Sequence, residues 1–299
     1  MRVFVTGATG FVGSAVVQEL IRGGHQVLGL ARSDQGARAL IAAGAEVHRG
    51  DLEDLESLRK GVAVSDGVIH TGFVHDFTRF KEMCELDGRV IEAMGSELAG
   101  SDRPLIVTSG IGLLTTPGRL ATEQDMPAES SPNPRIVSET AADAVAAMGV
   151  RVSVLRLPPT VHGEGDHGFL PIIIGIAREK GISVYKEQGD NRWPAVHRQD
   201  AAILYRLALE NITSSGVRYH AVAEEGVLFR DIALAVGKGL SVPVASRSVE
   251  QTVEHFSWFN HFAGMDCASS ALITKEMLGW SPVQASLTED LDQGHYFKN

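Results

Sequence analysis

RVFVTGATGFVGSAVVQELIRGG, residues 2–24, decides the fold. RVFVT is short, aliphatic and β-branched, as a buried strand is. From Phe11 the apolar residues recur at helical spacing, and the pattern stops at Gly23-Gly24, a helix C-cap signal. Between the two, Gly7, Gly10 and Gly13 sit three residues apart. Glycine in such a turn permits positive φ and removes the Cβ that would hold a diphosphate away from the backbone. The free N–H groups and dipole of the helix start then favour the anion. A glycine repeat alone says little, but in frame between strand and helix it marks a dinucleotide site. Gly7, Thr9, Gly10, Phe11, Val12 and Gly13 are the expected contacts.

Working outward, the same alternation of periods continues. Strand-like runs are QVLGL (26–30), AEVHR (45–49), GVIHT (67–71), PLIVTS (104–109) and RVSVLRL (151–157). Helical spacing fills residues 33–44, 52–61, 80–98 and 138–149. Strand and helix in alternation imply right-handed βαβ units and a parallel sheet covered on both faces. The fold class is α/β, a Rossmann-fold doubly wound sheet. After Leu157 the rhythm loosens into the loop PPTVHGEGDHG (158–168), a helix over 169–181, a strand at 182–185, a helix over 199–210 and a strand over 217–223. The expected division is a dinucleotide-binding domain of residues 1–160, with 190–222 returning to its sheet. Residues 161–189 and 223–299 form a smaller C-terminal substrate-binding lobe.

The formal charge of −10 and pI near 5.6 argue against a nucleic-acid partner and disfavour an anionic membrane surface, since both need a basic face. No stretch approaches the ~20 apolar residues of a spanning helix. Cys84 and Cys267 are the only cysteines, which suits a reducing compartment and excludes a disulfide framework or a cysteine zinc site. No HExxH-like spacing occurs, so no metal is expected. The N-terminus reads without a signal peptide, and the expected location is cytoplasmic. Asn211-Ile212-Thr213 matches a glycosylation acceptor and is set aside on the same ground.

The second strand ends LARSDQG (30–36), where a dinucleotide site places its ribose contact. Arg32 and Ser33 stand there in place of a carboxylate. A guanidinium and a hydroxyl suit a 2′-phosphate, so the expected cofactor is NADP. Asp51-Leu52, after the third strand, is placed to meet adenine, or to cap a helix. His70-Thr71-Gly72 ends the fourth strand beside the nicotinamide half, or forms an ordinary turn.

With TGATGFVG, ARS, GDL, VIHTG, IVTSG, LRLPPTVHGEGD and WPAVHRQDAA in order, the sequence resembles the extended short-chain dehydrogenases/reductases. It is closest in pattern to the NAD(P)-dependent epimerase/dehydratase and dihydroflavonol-reductase-like branch, over the chain to about Leu209. The resemblance implies that Ser109 is the catalytic serine and that Leu157, Pro158 and Pro159 run past the nicotinamide. It also implies a Tyr-x-x-x-Lys pair, and here the sequence departs: the tyrosine position holds Arg135 and the lysine position Glu139. Arg135 cannot release a proton near neutral pH, but it can polarise a carbonyl or clamp a carboxylate. Glu139 can accept from ribose hydroxyls or pair with Arg135.

Among proton donors, His162 in the 158–168 loop is the leading candidate, His75 and Tyr185 are others, and His197 reads as structural. The expected function is NADP(H)-dependent reduction of a small carbonyl or imine. The alternatives are a non-catalytic NADP(H)-binding sensor, or an epimerase/dehydratase that retains its cofactor. A small-molecule substrate is expected, and relatives commonly pair through the helices matching 80–98 and 134–148, which implies a homodimer.

Overall fold

A computed structural model describes residues 1–114, 118–128, 131–212 and 214–298. Thr213, the last residue of the glycosylation acceptor, lies outside the described residues. Strands β1 (Arg2–Thr6), β2 (Gln26–Ala31), β3 (Glu46–Arg49), β4 (Gly67–His70), β5 (Pro104–Gly110) and β6 (Arg151–Leu157) alternate with helices α1 (Phe11–Arg22), α2 (Asp34–Ala42), α3 (Leu55–Ala63), α4 (Phe80–Leu98) and α5 (Val137–Ala147). The second half contributes β7 (Thr160–His162), β8 (Ser183–Lys186), β9 (Arg192–His197), β10 (Val217–His220), β11 (Glu224–Leu228) and β12 (Val244–Arg247). Its helices are α6 (Phe169–Lys180), α7 (Arg198–Glu210), α8 (Phe229–Leu240), α9 (Val249–Phe256), α10 (Asn260–Ala263), α11 (Leu272–Leu278) and α12 (Leu287–Asp292).

Among the described residues the main sheet has seven strands in the order β10-β6-β5-β4-β1-β2-β3, all pairs parallel. Side chains of a strand alternate between faces, and the core divides accordingly. Val3 and Val5 of β1 join the cluster covered by α1 and α7, whereas Phe4 joins the cluster covered by α3, α4 and α5. Burial on both faces explains why these strands read as continuous apolar runs. Helices α4 and α5 approach closely because α4 offers glycines to valines of α5. A Cβ on Gly88 would stand 2.5 Å from Val137, and one on Gly95 2.4 Å from Val145.

The order of strands reverses between β1 and β4, and in open α/β sheets a ligand crevice opens at the carboxyl ends of such strands. The glycine turn follows β1 there, and Thr71-Gly72 follows β4. One expectation for the 190–222 stretch needs correction. Only α7 and β10 return to the main sheet; β9 pairs with β7 and β11 in a separate three-stranded sheet of the C-terminal part. β8 and β12 form a further parallel pair. Among the described residues no helix is long and apolar enough to cross a membrane.

Candidate active site

Gly7 has φ +65°, and a Cβ there would lie 2.6 Å from the Gly72 nitrogen. A Cβ on Gly13 would lie 2.0 Å from the Gly7 carbonyl oxygen. Chain packing alone therefore requires these two glycines. Gly10 differs: an added Cβ would meet only the Gly7 oxygen, at 3.2 Å. It faces a cavity of about 830 Å³ that Gly7, Thr9, Phe11, Val12 and Gly13 also line. Gly10 is the N-cap of α1, which has no side-chain cap and no acidic residue in its first turn. The first-turn N–H groups are thus left for an anion from outside, as a dinucleotide diphosphate would supply.

At one end of the cavity, Arg32 is exposed and has no ion-pair partner among the described residues. The nearest carboxylate in sequence, Asp34, is turned to Arg49 at 2.5 Å. Ser33 does not line the cavity, contrary to expectation. Its hydroxyl accepts from the Gly36 N–H at 3.1 Å and caps α2, because a strand-to-helix turn needs a cap at that position. Asp51 and Leu52 line the wall, and the cap of α3 is Asp54, not Asp51.

Thr71 and Gly72 line it as well, knitted to β1 through the Thr6 carbonyl (2.8 Å) and hydroxyl (3.2 Å). His70, expected beside them, is buried and points away. Its Nδ1 meets the Thr6 hydroxyl at 2.6 Å and its Nε2 meets Asp87 at 3.0 Å. Leu157, Pro158 and Pro159 line the cavity after β6.

Ser109 and Arg135 reach the same cavity, and the two charged residues of the Arg135/Glu139 motif part company there. Arg135 does not pair with Glu139. Its Nη1 bonds Asp87 Oδ2 at 2.5 Å and also Ser138, its Nη2 donates to the Thr108 carbonyl at 3.2 Å, and the Phe73 ring lies 4.1 Å from the guanidinium carbon. Burial alone would raise the Asp87 pKa, but the Arg135 charge, then His70 and Ser138, hold it well below the carboxylate range.

Glu139 is buried off the cavity and clasped by Arg156 through two bonds of 2.8 and 2.7 Å. It also accepts the Ser109 hydroxyl hydrogen at 2.8 Å. Burial would raise its pKa, and Arg156, Ser109 and Arg218 together lower it below the usual value. Behind Arg156 stands His220. Its Nδ1 gives its hydrogen to the Ser270 carbonyl at 2.8 Å, so Nε2 accepts from Arg156 at 3.2 Å and the ring is neutral. Burial, then the Arg156 charge, brings its pKa down to about 4.

His162 is not brought to the site. It is buried with Nδ1 on Asp290 at 2.9 Å, because the short β7 turns it inward beneath α12. His197 packs against it, rings 5.4 Å apart, and Tyr185 does not line the cavity. The imidazoles on the wall are His75, His167 and His261. Burial and then the Arg135 charge lower the His75 pKa.

Asp87, Arg156 and the cavity rings Phe73, Phe169 and Phe262 were not anticipated from sequence. A signal for Asp87 exists: it falls at helical spacing on the buried stripe Met83, Asp87, Val90, Met94, where an unpaired acid is not tolerated. Among the described residues no group of three His, Cys, Asp or Glu side chains is placed to hold a metal.

A family model described as the NAD dependent epimerase/dehydratase family matches residues 3–94. An uncharacterised protein of Schizosaccharomyces pombe is 50% identical over 99% of this chain and 100% of its own length. The chain belongs to the extended short-chain dehydrogenase/reductase family. A Streptomyces lividans UDP-glucose 4-epimerase is 28% identical over 95% of this chain and 92% of its own. The solved dTDP-glucose 4,6-dehydratase of Streptomyces venezuelae, with NAD bound, superposes with a TM-score of 0.79 at 18% identity, covering 99% of this chain and 96% of that one. Family membership makes this extended short-chain dehydrogenase/reductase an NAD(P)-dependent enzyme of oxidoreductase type.

Proposed function

We propose that the chain is an NADP(H)-dependent reductase of a small carbonyl or imine compound, with Arg135 and Glu139 in place of the family's tyrosine and lysine, and Glu139 backing Ser109. One observation carries the reading: a single cavity joins the uncapped glycine turn at Gly10 to Ser109 and Arg135. Gly10 and the first turn of α1 would hold the diphosphate, and Arg32, which has no ion-pair partner among the described residues, the 2′-phosphate. When bound, the reduced nicotinamide supplies hydride.

The chain's own residues divide the remaining work. Arg135 stabilises the oxygen that gains negative charge; it orients and polarises but gives up no proton. Ser109 has its hydrogen on Glu139, so it presents lone pairs and accepts from the N–H of a protonated imine or the O–H of an alcohol product. His75, on the cavity wall and exposed, would relay a proton from solvent.

Supporting features extend the reading beyond the site. Residues 1–160 with α7 and β10 serve the cofactor, and the rest forms the substrate lobe. The buried free thiols Cys84 and Cys267 suit the cytoplasm, with burial pushing Cys84 up to about 11. We place the homodimer contact on α4 and α5, whose outer faces are polar, with Glu85, Arg89, Glu92 and Asp143 exposed. Sizing chromatography at two salt concentrations tests this; a monomer at both removes it.

A screen of NADPH oxidation over ketones, aldehydes and imines tests the function. Turnover on any of them supports it. Tight NADPH binding with no turnover favours the sensor reading, which the buried ion pairs of Arg135 and Glu139 also suit.

A further inference from the structure

Starting at Arg135, aromatic rings follow one another round the cavity wall. Phe73 lies against the guanidinium at 4.1 Å. Phe80 stands 6.1 Å from Phe73, Phe77 5.7 Å from Phe80, and Phe262 6.0 Å from Phe77. Phe169 closes the run, 4.8 Å from Phe262. All five line the cavity, and they come from two parts of the chain: residues 73–80 after β4, and helices α6 and α10 of the C-terminal part. None of the five is fully buried: Phe169 and Phe262 rest on the core with one side toward the cavity, and Phe73, Phe77 and Phe80 stand outside it.

The charges beside these rings are mostly acidic or already paired. The lysine and arginine residues lining the cavity are Arg32, at the end of β2, and Arg135, already neutralised by Asp87. Asp76 and Asp166 line it without a lysine or arginine partner among the described residues. The Asp76 carboxylate accepts from Thr78, and Asp166 from the Tyr296 hydroxyl at 3.0 Å. A second diphosphate here would face two carboxylates and, among the described residues, no lysine or arginine but Arg135, whose charge Asp87 already balances.

We infer that the substrate is an uncharged, planar aromatic carbonyl compound, packed against the cavity side of the contacting Phe77 and Phe262 rings, and that nucleotide sugars are excluded. The inference rests on the reductase reading for its chemistry alone. The carbonyl carbon gains hydride and the oxygen gains one proton, giving the alcohol, with oxidation of NADPH to NADP+. The ring geometry needs no turnover to act. Edge-to-face and offset contacts favour an aromatic guest by ~0.5–1.5 kcal/mol beyond its area, which is up to about tenfold in affinity.

The test uses the full chain saturated with NADP+ and reads binding by calorimetry. The probes are 2-acetonaphthone, cyclohexyl methyl ketone and UDP-glucose. The naphthyl ketone is expected to bind about tenfold more tightly than the cyclohexyl ketone, and UDP-glucose to give no heat at millimolar concentration. Phe77→Leu, which keeps apolar volume, should erase the difference between the ketones without changing NADP+ affinity; Phe262→Leu is the second variant, each checked for an unchanged unfolding midpoint. Equal binding of the two ketones by the wild type, or sub-millimolar binding of UDP-glucose, overturns the inference. NADPH oxidation is followed in parallel. Naphthyl ketone binding without oxidation supports the aromatic site, and the reductase reading falls separately when the whole screen of ketones, aldehydes and imines gives no turnover.

Discussion

Ser109 donates its hydroxyl hydrogen to Glu139 across 2.8 Å, and the same carboxylate is gripped on both oxygens by the fully buried Arg156. Glu139 therefore acts on the serine from behind, without lining the cavity itself. Removing one member of such a pair leaves a buried charge uncompensated, which costs about 3–5 kcal/mol. Glu139→Gln is expected to lose that much in urea unfolding at pH 7. The folded Glu139 carboxyl titrates below its ordinary value, so its contribution is present above the ordinary carboxylate range and is lost as pH falls through the lowered value. The gap between wild type and variant should accordingly shrink at acid pH; a gap independent of pH would show that Glu139 is not ionised in the fold.

Arg135 has two connected duties, and substitutions separate them. It neutralises the buried Asp87 and it presents its guanidinium to the cavity. Arg135→Met is expected to lower kcat about 100- to 1000-fold, the scale of losing one preorganised donor. Arg135→Lys keeps a cation for Asp87 but not the fork that also reaches the Thr108 carbonyl, nor the flat face against Phe73. It should recover most of the stability and little of the rate. Equal recovery of both would make Arg135 a purely structural cation.

The glycines of the first turn should behave unequally. Gly10→Ala meets one atom at 3.2 Å, and only the cavity side is filled. Nucleotide affinity is expected to fall at least about tenfold while the unfolding midpoint barely moves, because backbone approach to the diphosphate is what the Cβ blocks. Gly13→Ala places its Cβ 2.0 Å from the Gly7 oxygen, so it should lower stability as well. Calorimetry and thermal unfolding on both variants make the comparison.

These contrasts mark how far the sequence could be read. Periodicity located β1 to β6 and their helices because a parallel sheet buried on both faces leaves unbroken apolar runs, and the glycine turn is local in sequence. The expectation that all of 190–222 returns to the main sheet fails at β9, because its pairing with β7 and β11, distant in sequence, leaves no periodic trace. At the site, Arg135 and Glu139 are four residues apart yet turn to different partners, Asp87 at 48 residues' separation and Arg156 at 17. Helical spacing gave no hint of which long-range partner each would find. His162 was misplaced for a related reason: its loop borders the cavity, but its ring is claimed by Asp290, 128 residues on.

The proposed preference for NADP(H) rests on Arg32. Its guanidinium lines the cavity with no carboxylate partner among the described residues, while Asp34, which might have bonded a 2′-hydroxyl, is held by Arg49. A charge-assisted bond to a 2′-phosphate is worth ~1.5–3 kcal/mol, or about 10- to 150-fold in affinity. Arg32→Ala should weaken NADPH binding by that factor in a fluorescence titration and leave NADH binding within about twofold, because NADH lacks the group in question. The salt dependence gives an independent reading: wild-type NADPH affinity should fall with ionic strength more steeply than that of Arg32→Ala, since the exposed guanidinium acts through a screened charge. If NADH binds the wild type as tightly as NADPH does, the guanidinium does not select the phosphate, and Arg32 is an unpaired surface cation at the end of β2.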